Sequence, residues 1–185
     1  MTTNFPLPFA LLLVLAVSSA FSFASDPPPT PKPSLVDLQQ FSKITVEATQ
    51  ARMKQMVTLE KFQEMAKDEN TILLDTRSKK AFDEVHLKGS VHLNFSDFTK
   101  EKLAKVIPNK DTRILIYCNN NFSSPESLKA RFAALADKSP GLALNIPTFI
   151  NLYGYGYKNV YELSELLDVT DPRITLEGTA VEKEL

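Results

Sequence analysis

The pattern of apolar and polar positions from residue 56 onward predicts strands separated by helices. Three apolar runs are typical of buried strands, namely TILLDT at 71–76, RILIY at 113–117 and NVYEL at 159–163. Two shorter runs, MVTL at 56–59 and SVHLNF at 90–95, complete the set. Strands that alternate with helical or loop segments indicate an α/β fold, with a mainly parallel five-stranded sheet flanked by helices.

Apolar residues at helical spacing predict helices between these strands. Thr58 is a candidate cap for a helix over 59–67, and Ser96 is a candidate cap for a helix over 96–107. Residues 35–56 read as a mostly helical N-terminal extension, although its apolar face is irregular.

Two further helices are expected between the RILIY and NVYEL strands. Ser124 and Pro125 favour the start of a helix that continues to about Lys138. Another helix is predicted to begin near Asn145 and to end at one of the glycines that follow.

The first 34 residues have a different character. Residues 1–24 contain a short apolar centre and then Ser22 and Ala24, small residues of the kind that a signal peptidase recognises. The apolar centre is too short for a membrane span, so we predict a cleaved signal peptide and no stable span after cleavage. The alternative is an uncleaved anchor or a misread start, because no Lys or Arg precedes the apolar centre. Residues 25–34 are proline-rich and predict an extended linker.

Composition and charge narrow the functional classes. The chain is 43% hydrophobic and 23% charged, which is ordinary for one globular domain with its own core. The formal net charge is −1, which argues against a nucleic-acid surface. With the predicted signal peptide, these features favour a periplasmic or secreted bacterial protein.

The chain contains a single cysteine, Cys118, at the carboxyl end of a predicted strand. It has no partner for an internal disulfide, so it is buried and inert, paired with another chain, or chemically used. Ligands of parallel sheets bind beyond the carboxyl ends of the strands, where Asp75 also lies.

A polar loop follows the cysteine and could stabilise a thiolate. Its residues are Asn119, Asn120, Asn121, Phe122 and Ser123. Asparagine favours turn conformations, so the backbone N–H groups of this loop can form an anion cradle around the sulfur. The alternative is a buried thiol that packs as a small apolar residue beside a turn.

The order and spacing of several motifs over about residues 58–163 resemble the rhodanese-like family. Residues 75–77, Asp-Thr-Arg, are similar to the Asp-x-Arg of the family. The residues that match its second motif are Phe82, His86, Leu87 and Gly89. Cys118 falls where the family places its sulfur-carrying cysteine, and residues 156–160 resemble the segment before its last strand.

The resemblance implies a rhodanese-like domain over about residues 57–168 that acts as a sulfurtransferase. Cys118 is then the catalytic nucleophile and carries the sulfur as a persulfide. The implied partners are a small sulfane-sulfur donor and a thiol or cyanide-like acceptor, and no cofactor is implied.

The supporting residues are Asp75, Arg77 and His86. We interpret Asp75 and Arg77 as an ion pair or loop brace, and His86 as a packed, hydrogen-bonded histidine. A metal site at His86 and His92 is disfavoured, because the pair has no third ligand at a zinc-like spacing.

The chain departs from the family pattern after Cys118. Residues 119–124 carry no cation, which argues against a cysteine phosphatase and against thiosulfate as the natural sulfur donor. Residues 125–142 look like an insertion, which is either a lid, a docking surface for a protein partner, or a solvated decoration. The candidates for a remote cation are Arg113, Lys129 and Arg131.

Three functions follow from these observations. The first is a sulfurtransferase, the second is a non-catalytic rhodanese-like binding or regulatory module, and the third is a redox or thiol sensor.

Residues 169–185 are expected to form a strap over the domain and then a frayed end.

Overall fold

A computed structural model defines Met1 and residues 32–182 of the chain. The predicted signal peptide after Met1, most of the predicted linker and the last three residues of the tail lie outside the described residues. The predictions for those segments therefore stay predictions. The chain divides after Val36, and every helix and strand given below belongs to the unit that begins at Asp37.

A five-stranded parallel sheet lies at the centre of this unit. In chain order, the strands of the described residues are β1 (Met56–Val57), β2 (Thr71–Asp75), β3 (His86–Leu87), β4 (Val91–His92), β5 (Arg113–Tyr117), β6 (Phe122–Ser123), β7 (Val160–Leu163), β8 (Leu167–Asp168) and β9 (Leu176–Glu177). The large sheet has the order β1-β7-β5-β2-β4, and all of its pairings are parallel. Asp75 pairs with Tyr117, so the carboxyl ends of β2 and β5 are adjacent. The predicted α/β class with a five-stranded sheet is confirmed.

Helices cover both faces of the sheet. They are α1 (Leu38–Arg52), α2 (Leu59–Ala66), α3 (Lys79–Glu84), α4 (Lys100–Val106) and α5 (Asn145–Gly154). Side chains of β5 alternate between two apolar layers, as a pleated strand requires. Ile114 and Ile116 pack with residues of α1, α4 and α5. Leu115 and Tyr117 pack with residues of α2 and of the C-terminal segment, which is residues 169–182.

The helix caps show how far local sequence determines these elements. Thr58 accepts a hydrogen bond from the Lys61 amide and caps α2, which confirms that prediction. The prediction that Ser96 opens α4 is wrong, because residues 95–97 form a separate 3₁₀ turn that ends in extended backbone at Phe98. Thr99 caps α4 instead.

The predicted helix over residues 125–138 is also wrong. The segment forms separate 3₁₀ turns at Glu126–Leu128, Ala133–Leu135 and Pro140–Leu142. Between them the backbone leaves helical geometry at Phe132 and Ala136. Two apolar side chains of the segment are nevertheless buried, since Phe132 and Leu135 pack into the same layer as Leu115.

The C-terminal segment lies against α3 and its following strand. Strand β9 pairs antiparallel with β3, and the amides of Thr179 and Ala180 donate to the carbonyls of Asp83 and Glu84. Ala180 is buried in the core, which agrees with the strap expected from the sequence. Among the described helices, none combines the length and apolarity needed to cross a bilayer.

Replacing Gly178 by alanine is expected to loosen this segment. Gly178 has φ of +121°, and an added Cβ would lie 2.6 Å from the Glu84 carbonyl oxygen. We expect Gly178→Ala to lower the free energy of unfolding by about 2–4 kcal/mol, from backbone strain and a steric clash. The control is Gly141→Ala, where a Cβ meets no atom within 4 Å. Urea unfolding measures both, and equal stabilities would contradict the expectation.

Candidate active site

Cys118 directly follows the central strand β5 and lines a cavity of about 210 Å³. The other lining residues are Arg77, Ser78, Ala81, Asn119, Asn120, Lys138 and Leu144. They come from the loop after β2, the start of α3, the cysteine loop, the insertion and the start of α5. The cavity therefore lies at the carboxyl end of the sheet, where ligands of parallel sheets bind.

The backbone N–H groups of Asn120, Leu144 and Asn145 face the Cys118 sulfur and lower the pKa of its thiol. Leu144 is the N-cap of α5 and Asn145 is its first residue, so this helix directs its N-terminus at the sulfur. Unpaired N–H groups and the helix dipole both favour negative charge at that position.

The thiol itself is buried, with a relative exposure of 2%. Burial raises the pKa of Cys118, and the nearby Glu162 carboxylate raises it further, whereas the three N–H groups lower it. Burial has the largest effect, so the pKa lies above its usual value and the resting thiol is protonated at neutral pH.

The predicted cradle over residues 119–123 is only partly as the sequence suggested. Asn120 supplies an amide to the sulfur, but the amides of Asn121 and Phe122 donate to the carbonyls of Cys118 and Asn119. Phe122 and Ser123 form β6, which pairs with β8, and the Phe122 side chain is buried in the core. The cradle is instead completed by α5, whose start the sequence predicted near Asn145 without placing it at the sulfur.

The side chains of Asn119 and Asn120 hold the insertion beside the cysteine. Asn119 Nδ2 donates to the Ala136 carbonyl at 2.8 Å. Asn120 Nδ2 donates to the Lys138 carbonyl at 2.6 Å, and the Lys138 amide donates back to Asn120 Oδ1 at 3.2 Å. The insertion therefore lies against the cysteine loop. Its carbonyls at Ala136 and Lys138 accept hydrogen bonds from asparagine side chains, and not from backbone amides of a helix.

Asn121 has a different task, because its side chain is buried. Its Oδ1 accepts from the Cys118 amide at 3.0 Å and from Asn145 Nδ2 at 3.1 Å. Its Nδ2 donates to the carbonyls of Leu163 and Glu165. Asn121 thus joins the cysteine, the start of α5 and the end of β7.

Asp75 and Arg77 form a buried ion pair next to the cavity. Arg77 Nη2 lies 2.6 Å from Asp75 Oδ2, and the same nitrogen donates to the Val85 carbonyl at 2.6 Å. Arg77 Nη1 donates to Asn119 Oδ1 at 3.2 Å, and the Tyr117 hydroxyl donates to Asp75 Oδ2 at 2.7 Å. Burial and the Asp75 charge raise the pKa of Tyr117, so the tyrosine stays a neutral donor.

The two histidines are hydrogen-bonded to backbone. His86 Nδ1 lies 2.7 Å from the Phe82 carbonyl oxygen, and its ring stacks on the Phe82 ring at 3.9 Å between centroids. His92 Nε2 lies 2.8 Å from the Arg77 carbonyl oxygen. Within the described residues, no group of three or more His, Cys, Asp or Glu side chains could hold a metal ion.

Besides Arg77, the cavity has a second cation that the sequence did not single out. Arg113 binds Asp68 at the opposite end of β5, and Arg131 donates to carbonyls of the C-terminal segment. The third candidate, Lys129, pairs with Glu126. Lys138 instead lines the cavity, and its ammonium has no ion pair among the residues that the structure describes. The sequence does not predict this position of Lys138, because no local pattern shows that the backbone of Lys138 bonds to the Asn120 side chain.

The sequence and the structure are similar to those of known proteins. A family model described as "Rhodanese-like domain" matches residues 58–165. Among solved structures, the solution NMR structure of the rhodanese-like domain of an Anabaena protein is similar, with 15% sequence identity and a TM-score of 0.46. The similarity covers 70% of this chain and 83% of that chain. None of the curated proteins compared with this chain matches it.

Replacing Asp75 by asparagine is expected to destabilise the fold strongly. The change leaves the Arg77 guanidinium buried without its counter-charge, which costs about 3–5 kcal/mol for a buried pair. The control is Asp83→Asn, which removes an exposed pair with Lys79 and should change stability by less than about 0.5 kcal/mol. Urea unfolding of both variants measures the difference, and a loss below about 1 kcal/mol for Asp75→Asn would contradict the assignment.

Proposed function

The chain belongs to the rhodanese-like domain family, and we propose that it is a sulfurtransferase that carries sulfane sulfur as a persulfide on Cys118. The observation that carries the proposal is the convergence of three backbone N–H groups on the sulfur of a cysteine that lines a cavity. Such an arrangement stabilises sulfur when it bears negative charge, which is the state that reacts.

The proposed reaction consists of two displacements at sulfur. In the first, the Cys118 thiolate attacks the outer sulfur of the donor, and the donor S–S bond breaks. The electron pair of that bond leaves with the donor remainder, and Cys118 becomes a persulfide. In the second, a thiolate or cyanide-like acceptor attacks the terminal sulfur, and the pair of the broken S–S bond returns to Cys118. The atoms and electrons of the two steps balance without an external oxidant or reductant.

The chain's own groups have distinct tasks in this scheme. The amides of Asn120, Leu144 and Asn145 stabilise the thiolate before attack and again after the sulfur leaves. Because burial raises the pKa of Cys118, the thiolate is a minor species at neutral pH, and its formation is part of the barrier. Lys138 lies at the cavity, where its charge attracts an anionic donor.

A second candidate function is a non-catalytic binding or regulatory module. It is favoured by the 2% exposure of Cys118 together with the raised pKa of its thiol. In that case the cavity, bordered by the insertion, binds a ligand or a partner segment and the cysteine serves as a small packing residue.

Persulfide formation separates the two candidates. We expect the reduced full-length protein, incubated with thiosulfate or inorganic polysulfide, to gain one sulfur atom in an intact mass spectrum. Cys118→Ser should gain none, and cyanide should return the parent to its original mass. If the parent gains no sulfur from either donor while its thiol stays reduced, the sulfurtransferase is wrong and the binding module is favoured.

Removing the charge of Lys138 should affect anionic donors selectively. We expect Lys138→Met to raise the KM for thiosulfate about threefold to tenfold, because an exposed cation contributes modestly to binding an anion. The KM for an uncharged dialkyl trisulfide should not change. Lys129→Met is the matched control, since that lysine is on the insertion but does not line the cavity. Equal effects on both donors, or equal effects of both variants, would contradict the role of Lys138.

A further inference from the structure

We propose that Arg52, the last residue of helix α1, is a positioning residue that controls the reactivity of Cys118 through Glu162. Helix α1 lies outside residues 58–165, which the family model matches. The N-terminal helix is thereby part of the reactive site and not only a decoration of the domain. The inference rests on the proposed function only in taking Cys118 as the reacting group.

The first step is a partly buried ion pair between α1 and the sheet. Glu162 on β7 is 4% exposed, so its carboxylate needs a counter-charge. Arg52 Nε lies 2.5 Å from Glu162 Oε2, and Arg52 Nη2 lies 2.6 Å from Glu162 Oε1. This two-point contact fixes the position of the carboxylate as well as its charge.

The second step leads from the carboxylate to the cysteine. Glu162 Oε1 also accepts from Asn145 Nδ2 at 3.3 Å. The same Asn145 nitrogen donates to Asn121 Oδ1, which in turn accepts from the Cys118 amide. Asn145 supplies one of the backbone N–H groups that face the sulfur, so the network holds both the cysteine and its cradle.

The third step concerns the orientation of the Asn145 side-chain amide. Asn145 is 3% exposed, and its Oδ1 is buried with no hydrogen-bond partner among the described residues. A buried orphan acceptor is unfavourable, so this orientation exists only because both hydrogens of Nδ2 are used, by Glu162 and Asn121. Moving the Glu162 carboxylate would therefore release Asn145.

Charge adds a second connection between Arg52 and the thiol. Among the described residues, the Glu162 carboxylate on β7 acts on the Cys118 thiol, and the charged residues that line the cavity with it are Arg77 from the loop after β2 and Lys138 from the insertion. Asp75 already neutralises Arg77, and Lys138 is exposed to solvent. The Arg52–Glu162 pair is partly buried, so solvent and salt screen its charge at the thiol less than they screen the charge of Lys138.

The test uses two substitutions that must act in opposite directions. The pKa of Cys118 is read from the pH dependence of its alkylation by iodoacetamide in the full chain. Arg52→Met leaves the Glu162 charge uncompensated and should raise the thiol pKa by about half to one unit. Glu162→Gln leaves the Arg52 charge uncompensated and should lower it by a similar amount. The double variant should return to the parent value, and Arg52→Lys should stay near it.

A matched control separates this effect from a general loss of structure. Arg113→Met removes an arginine of similar side-chain exposure, 27% against 23% for Arg52, at the opposite end of β5. It should leave the thiol pKa unchanged, and circular dichroism verifies the fold of each variant. If Arg52→Met does not fold, Glu162→Gln alone decides the question, because an unchanged thiol pKa in that variant overturns the proposal.

The outcome is independent of whether sulfur transfer occurs. Shifts of the thiol pKa in the same direction, or no shift in either single variant, overturn the role of Arg52. Opposite shifts in a protein that gains no sulfur in the mass spectrum support the control of the thiol while overturning the sulfurtransferase. The test therefore distinguishes a failure of the role of Arg52 from a failure of the sulfurtransferase proposal.

Discussion

The site depends on the buried ion pair between Asp75 and Arg77. Removing two charges from water is unfavourable unless each finds partners, and here the aspartate is fully buried and the arginine nearly so. The remaining donors of Arg77 bind the Val85 carbonyl, Asn119 Oδ1 and the Ala134 carbonyl. One guanidinium thus joins the end of β2, the end of α3, the cysteine loop and the insertion.

Local sequence was enough to predict the features that local physics determines. The apolar runs that became β2 and β5 are buried strands, and parallel pairing places Asp75 next to the end of β5, beside Cys118. Thr58 caps its helix because the capping hydrogen bond spans only three residues. The approach of Asn145 to Cys118 depends instead on residues far apart in the chain. No local pattern reports that contact, so the predicted cradle included Asn120 but not Leu144 or Asn145.

The insertion illustrates the same limit for secondary structure. Its sequence favours a helix opened by Ser124, and the apolar residues Phe132 and Leu135 are buried as a helix would bury them. Yet the carbonyls of Ala136 and Lys138 accept from asparagine side chains of the cysteine loop, which replaces the hydrogen bonds of a continuous helix. Tertiary partners override propensity here, because a short helix gains little free energy on its own.

The last part of the insertion is held at both ends but only lightly in between. Leu135 anchors one end of the segment in the core, and α5 begins at the other end, at Asn145. Between them the chain is held to the cysteine loop by Asn119 and Asn120. Residues 136–142 are exposed, and the two hydrogen bonds that hold them to the cysteine loop are exposed as well. A segment with exposed hydrogen bonds and few buried contacts belongs to the low end of local stability in a folded protein.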